Sequence, residues 1–231
     1  MKRRERKRVV VVGLGQFGHR LAVEMAKQCD VLAIDRNHAL VTAVGPDVQR
    51  ALALDARDYA ALSGVVGNAF DEAVVAFSGN MEASILCALH LRRLRLGKIY
   101  AKAANEDHAE ILRAMGVDEV IFPERETALQ VAKRLMNPNL LDFIPLTDEF
   151  LVMQIAPPDA FLGRTLAELN LRKRYGIFVI AVKEYVPERT VPLPGPDFVV
   201  KSSDALLVFG SESSLQSLRE TLPPATGGAA K

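Results

Sequence analysis

The chain has 231 residues, 49% of them hydrophobic, with 29 Lys+Arg against 28 Asp+Glu and a formal net charge of +1 at pH 7. That length carries one large or two small domains with a real core, and the near-neutral balance argues against a nucleic-acid binder. Cys29 and Cys87 make neither a metal spacing nor a disulfide framework, no apolar run approaches the roughly 20 residues of a membrane span, and no apolar segment precedes the first strand to form a signal peptide, so a reducing, cytoplasmic setting is expected.

In chain order, KRRERKR (2–8) is a basic leader, read as a solvated tail, with an acidic surface or anionic lipid as the sharper alternative. Residues 9–12 (VVVV) form a short β-branched run suited to a central parallel strand covered on both faces. A helix follows over about 16–28, then strands at 31–34, 51–54 and 73–78. Residues 81–94 make a long amphipathic helix and 98–102 (KIYAK) a fifth strand. HAEILRAMG is a helix ending at a glycine cap, Gly116. Residues 119–122 form a sixth strand that Pro123 stops, and ETALQVAKRLM closes the series as a helix. This alternation implies an α/β, Rossmann-like, doubly wound parallel sheet over 9–136.

NPNLLDFIPLTDE, with two prolines, reads as a connector over 137–148. A smaller α+β domain is expected over 149–222, with strands in FLVMQIA, IFVIAVKEY and ALLVFG, a helical turn near 165–170, a proline-rich stretch and a final helix, SLQSLRETL. Both cysteines are expected to be buried small residues, and the tail at 223–231 to be low-complexity and disordered.

The chemistry concentrates at Gly13, Gly15 and Gly18, a GxGxxG between a strand and a helix. Gly13 permits the tight turn, Gly15 lets backbone approach a phosphate, and Gly18 lets helix and sheet pack closely. The N–H groups at the helix start then face the phosphates. Asp35 ends the second strand 22 residues after Gly13, where a carboxylate accepts hydrogen bonds from ribose hydroxyls. Asp55–Ala56, Ser78–Gly79–Asn80 and Lys102 lie at further strand ends, where ligands collect in such sheets. The four histidines, His19, His38, His90 and His108, all precede the second domain, and no triad or metal-ligand spacing appears there. Binding without turnover is the simpler reading. A small NAD(P)-dependent oxidoreductase is the alternative, and a Rossmann-type transcriptional redox sensor a weaker third, since the leader is too short for a DNA-binding module.

Through GLGQFG, LAIDRN, SGNMEAS, YAKAAN, AMGVDEVIFPERETA and FLGRTLAELNLRKRYGIFVIAV, the chain resembles the RCK (regulator of conductance of potassium) family over about residues 8–222, most of all the single-RCK cytosolic subunits of Ktr- and TrkA-type potassium uptake systems. The resemblance implies an RCK_N domain followed by an RCK_C domain. It also implies a homo-oligomer, dimers assembling into an octameric ring beneath a membrane-embedded potassium-translocating subunit, with ATP and ADP read differently and NAD(H) an alternative ligand. It places the phosphate turn at Gly13, Leu14, Gly15, Gln16, Phe17 and Gly18, and the ribose at Asp35, Arg36 and Asn37. Asp55 and Ala56 flank the adenine, while Ser78, Gly79, Asn80, Ser84 and Lys102 serve the phosphate side. Glu124 matches a glutamate that holds a divalent or monovalent cation at the terminal phosphate; from the residues alone it reads as a helix N-terminal acid favoured by the dipole. Gln16 stands where many ATP-responsive members carry arginine, and glutamine brings no charge, which puts ATP-over-ADP discrimination in doubt. IPLTDEF resembles the family's crossover segment. A second site for cyclic di-AMP would use Leu166, Arg172, Val179 and Ile180, with Asn170 and Phe178 departing from the relatives' aspartate and asparagine; an ordinary dimer core is the competing reading.

Overall fold

The computed structural model describes residues 6–67, 69–77, 79–136, 140–147, 149–211, 213–214 and 217–218. The chain divides into two compact units, Met1–Arg125 and Glu126–Lys231.

The first unit is built on six parallel strands: β1 (Arg8–Val12), β2 (Asp30–Asp35), β3 (Arg50–Ala53), β4 (Glu72–Val75), β5 (Lys98–Lys102) and β6 (Glu119–Ile121), in the order β3-β2-β1-β4-β5-β6. The four valines of β1 are fully buried, and successive ones face opposite sides. Val10 and Val12 join a cluster with Ile34, Cys87 and Leu91, whereas Val9 and Val11 join one with Ala33 and Val44. A strand with core on both faces has no polar alternation, as that run predicts. Val12 is level with both Ile34 and Val75, so β1 and β4 end together, one residue short of β2.

The expected helices appear as α1 (Gln16–Ala26), α4 (Met81–Arg93), α5 (Glu106–Ala114) and α6 (Pro123–Met136). Pro123 stands at the start of α6, where its missing N–H leaves no bond unmade. Two further helices, α2 (His38–Val44) and α3 (Tyr59–Val65), were not expected. Each has seven residues, too few for a clear apolar stripe, and each is started by a side-chain cap. The Asn37 side chain accepts from the Ala39 N–H at 3.0 Å, and Asp58 from the Ala60 N–H at 2.8 Å.

The fourth strand, expected to reach Ser78, ends at Val75. Ala76 still donates its N–H to the Val12 carbonyl at 2.7 Å, but the chain leaves the sheet beyond it, and Ser78 lies outside the described residues. Cys87 is fully buried, and burial pushes its thiol pKa well up. Cys29, expected to be buried, is half-buried because it follows α1 where the chain turns towards β2.

The second unit holds a five-stranded antiparallel sheet in the order β10-β9-β11-β8-β7, with β7 (Leu140–Pro145), β8 (Phe150–Ile155), β9 (Phe178–Tyr185), β10 (Glu188–Pro192) and β11 (Asp204–Ser211). Part of the stretch read as a connector is therefore a strand: β7 pairs antiparallel with β8. Its proline sits at the end of an edge strand, where the absent N–H costs little. The same holds for β10, whose Pro192 closes the opposite edge. Between β8 and β9 lie α7 (Leu166–Leu169), opened by a capping box between Thr165 and Glu168, and α8 (Leu171–Tyr175). Glu184 in β9 is buried and held by Arg189 and by Lys201, the latter at 2.7 Å, and both hydrogen bonds lower its pKa. The expected final helix lies mostly outside the described residues; the tail at 223–231 and residues 1–5 of the leader lie wholly outside them.

Candidate functional site

The glycine turn between β1 and α1 is held from several sides. Gly13 has φ +93°, a conformation that L side chains rarely adopt, and its N–H donates to the Ile34 carbonyl at 2.8 Å. A Cβ at Gly18 would lie 1.8 Å from the Gly13 carbonyl oxygen, so α1 reaches the turn only because that side chain is absent. Leu14 is buried, and its N–H donates to Asp35 Oδ2 at 2.7 Å. The Asn37 N–H donates to Asp35 Oδ1 at 2.8 Å. The Asp35 carboxylate thus joins the glycine turn to the loop after β2, a link absent from the sequence reading.

A cleft of about 250 Å³ opens above these strand ends. Val12, Gly13 and Gly15 line it from the turn; Asp35, Arg36, Asn37 and Leu40 from β2 and α2; Leu54, Asp55, Ala56 and Arg57 from the loop after β3. Ala76, Phe77, Asn80 and Ala83 close the side towards α4. The cleft lies where the strand order reverses between β1 and β4, the switch point at which ligands bind in open α/β sheets.

Gly13, Gly15, Asp35, Arg36, Asn37, Asp55, Ala56 and Asn80 are thereby brought to one cavity. Leu14, Gln16, Phe17, Gly18, Gly79, Ser84, Lys102 and Glu124 do not line it. Leu14 and Gly18 are buried beneath the turn, whereas Gln16 and Gly79 are exposed. Ser84 faces inward on α4, fully buried, with its Oγ unpartnered among the described residues. Lys102 is buried and paired with Glu124, its Nζ 6.0 Å from the centre of the Phe17 ring. The hydrogen bond from Lys102 holds the Glu124 carboxyl below the usual range. Glu124 is therefore engaged by a cation of its own chain, and among the described residues no group of three His, Cys, Asp or Glu is arranged to hold a metal.

Asp55 has a partner that sequence reasoning did not name. Arg57 forks onto its carboxylate, with Nη2 2.6 Å from Oδ2 and Nε 3.0 Å from Oδ1, and this hydrogen bonding lowers the Asp55 pKa to about 2. The signal available was an Asp-x-Arg spacing directly after a strand.

In the second unit a shallow groove is lined by Leu166, Arg172 and Val179, together with Asn170, Ile177 and Phe178. Ile180 does not line it. The Arg172 guanidinium carbon sits 5.0 Å from the centre of the Phe178 ring, so the arginine lies on the phenylalanine.

Models of the TrkA-N domain and the TrkA-C domain match residues 9–123 and 151–222. The chain is 30% identical over 211 residues to the Ktr system potassium uptake protein C of Bacillus subtilis (strain 168), covering 91% of this chain and 95% of that protein. It is 28% identical over 217 residues to the Ktr system potassium uptake protein A of the same strain, covering 94% and 97%. Among solved structures it is similar to the GsuK RCK domain, with TM-score 0.62, 17% identity and coverage of 97% of this chain and 49% of that one. It is also similar to the GsuK channel, with TM-score 0.67, 18% identity and coverage of 97% and 41%. These two likenesses concern the fold, and the chain spans less than half the length of those solved chains.

Proposed function

We infer the function from one premise: the chain belongs to the RCK family, pairing a TrkA-N with a TrkA-C domain. It is a nucleotide-binding regulatory subunit of a membrane potassium uptake system. The observation that carries this is the cleft, which places a glycine turn, the Asp35 carboxylate and the Asp55–Ala56 loop around one cavity at the switch point of the sheet. The adenosine end of a nucleotide lies along Asp35 and Asp55, and its phosphates meet the backbone N–H groups at the start of α1.

The subunit works by binding, without making or breaking bonds in the nucleotide. It assembles with copies of itself into a ring and docks on a potassium-translocating partner at the cytoplasmic face of the membrane. Its relatives are potassium uptake proteins, which supports this role. Among the described residues no helix is long and apolar enough to cross a membrane, which is consistent with attachment through a partner. ATP, ADP and NAD(H) are the ligand candidates. A nucleotide shifts the ring only by binding one of its shapes more tightly than another.

Deleting the gene in its host should lower potassium uptake when external potassium is limiting. Wild-type protein should restore it and Asp35→Ala should not. Unchanged uptake in the deletion strain, with no other uptake system induced, would contradict the proposal.

A further inference from the structure

The loop after β3 carries an arrangement that fold stability does not account for. Arg57 is fixed at three points. Its side chain forks onto Asp55, with Nε 3.0 and 3.1 Å from the two carboxylate oxygens and Nη2 2.6 Å from one of them. Its backbone N–H donates to Asp55 Oδ1 at 3.0 Å. Its carbonyl accepts from His90 Nε2 at 2.9 Å. His90 is buried in α4 and packs edge-on against Tyr59, with ring centroids 5.3 Å apart. Asn80 and Ala83, in the opening turn of the same helix, line the cleft. The histidine therefore braces the arginine loop against the helix that forms another wall of the cavity.

An exposed pair of this kind contributes little to stability, yet this one is held by both side-chain and main-chain bonds. The side chains of Arg57 and Asp55 remain 38% and 39% exposed, and both residues line the cleft. The fork occupies Nε and Nη2 and leaves Nη1 unpartnered among the described residues. A guanidinium fixed along one edge offers a flat face and one outward N–H edge, and it loses little further freedom when a planar ring settles on it. Lysine provides no such plane.

We infer that Arg57, held flat by Asp55, is the purine-recognition residue of the cleft: its plane stacks on the adenine ring. This rests on the nucleotide-binding reading and adds to it a residue that sets base preference. The smaller face of a pyrimidine leaves part of the guanidinium uncovered, so the preference is for purine over pyrimidine at equal phosphate charge.

The test is calorimetric titration of the full chain with ADP and UDP, in the wild type, Arg57→Ala and Arg57→Lys, beside thermal unfolding of each. The wild type should bind ADP about tenfold more tightly than UDP, the usual scale of one base stacked on one planar group. Arg57→Ala should weaken ADP by about tenfold and UDP by less than about twofold, so that the preference collapses, and Arg57→Lys should not restore it. A preserved ADP:UDP ratio in Arg57→Ala would overturn the inference while leaving nucleotide binding intact. Parallel weakening of both ligands would also overturn it, because a loop brace acts on both alike. A wild type that binds neither ligand would remove the cleft reading and this inference together.

Discussion

Asp35→Ala should lose nucleotide affinity and stability together. In the free protein both carboxylate oxygens already accept backbone hydrogen bonds, from Leu14 at 2.7 Å and Asn37 at 2.8 Å. Removing the acceptor leaves the N–H of the buried Leu14 unsatisfied, a cost of about 1–3 kcal/mol. In the proposed binding mode the ribose hydroxyls lose the same acceptor, and a hydrogen bond to a charged group is worth about 1.5–3 kcal/mol. Since every 1.4 kcal/mol is tenfold, ADP affinity should fall by about tenfold to a hundredfold in titration. The turn that leads into the proposed phosphate site is loosened as well, which pushes the loss towards the upper figure. Asp35→Asn should fall between, because an amide offers one acceptor and places its NH₂ against the other N–H. Unchanged affinity in Asp35→Ala would show that the ribose does not lie along β2.

Gly18→Ala should act on the fold first. The added methyl would meet the Gly13 carbonyl oxygen at 1.8 Å and the Ala76 Cβ at 3.1 Å. The nearest obstacle is backbone, and that backbone cannot retreat freely. Gly13 holds φ +93°, and a Cβ there would itself stand 3.0 Å from the Ala76 carbonyl carbon. Relief requires the whole turn to lift, which also breaks the bond from Leu14 to Asp35. A destabilisation of about 3 kcal/mol or more is expected, at the upper end of overpacking. That corresponds to a fall of roughly 10 °C in the melting temperature of the first unit by calorimetry. A melting temperature within about 1 °C of the wild type would mean that α1 approaches the turn less closely than described.

The first unit was legible in outline because its physics is local and strong. A four-valine run can only be a strand with core on both sides, and glycines spaced for a tight turn next to it fix where a helix begins. The seven-residue α2 and α3 escaped notice because Asn37 and Asp58 start them by capping, which leaves little periodicity to detect. In the second unit, Pro145 and Pro192 made β7 and β10 look like loops, although an edge strand tolerates proline at its end. At the site, strand ends and turn glycines can be placed by counting. Two of the partnerships cannot: Asp35 with the Leu14 N–H and Lys102 with Glu124 depend on how loops from separate strands meet, whereas Asp55 and Arg57 stand two residues apart in one loop.

All of this turns on whether the cleft holds an adenine nucleotide, and isothermal titration of the purified full chain with ADP tests that most directly. The expected result is saturable binding at micromolar Kd or tighter, about 8 kcal/mol of binding free energy. The absence of any saturable heat up to millimolar ADP, from a chain that melts cooperatively and is therefore folded, would contradict it.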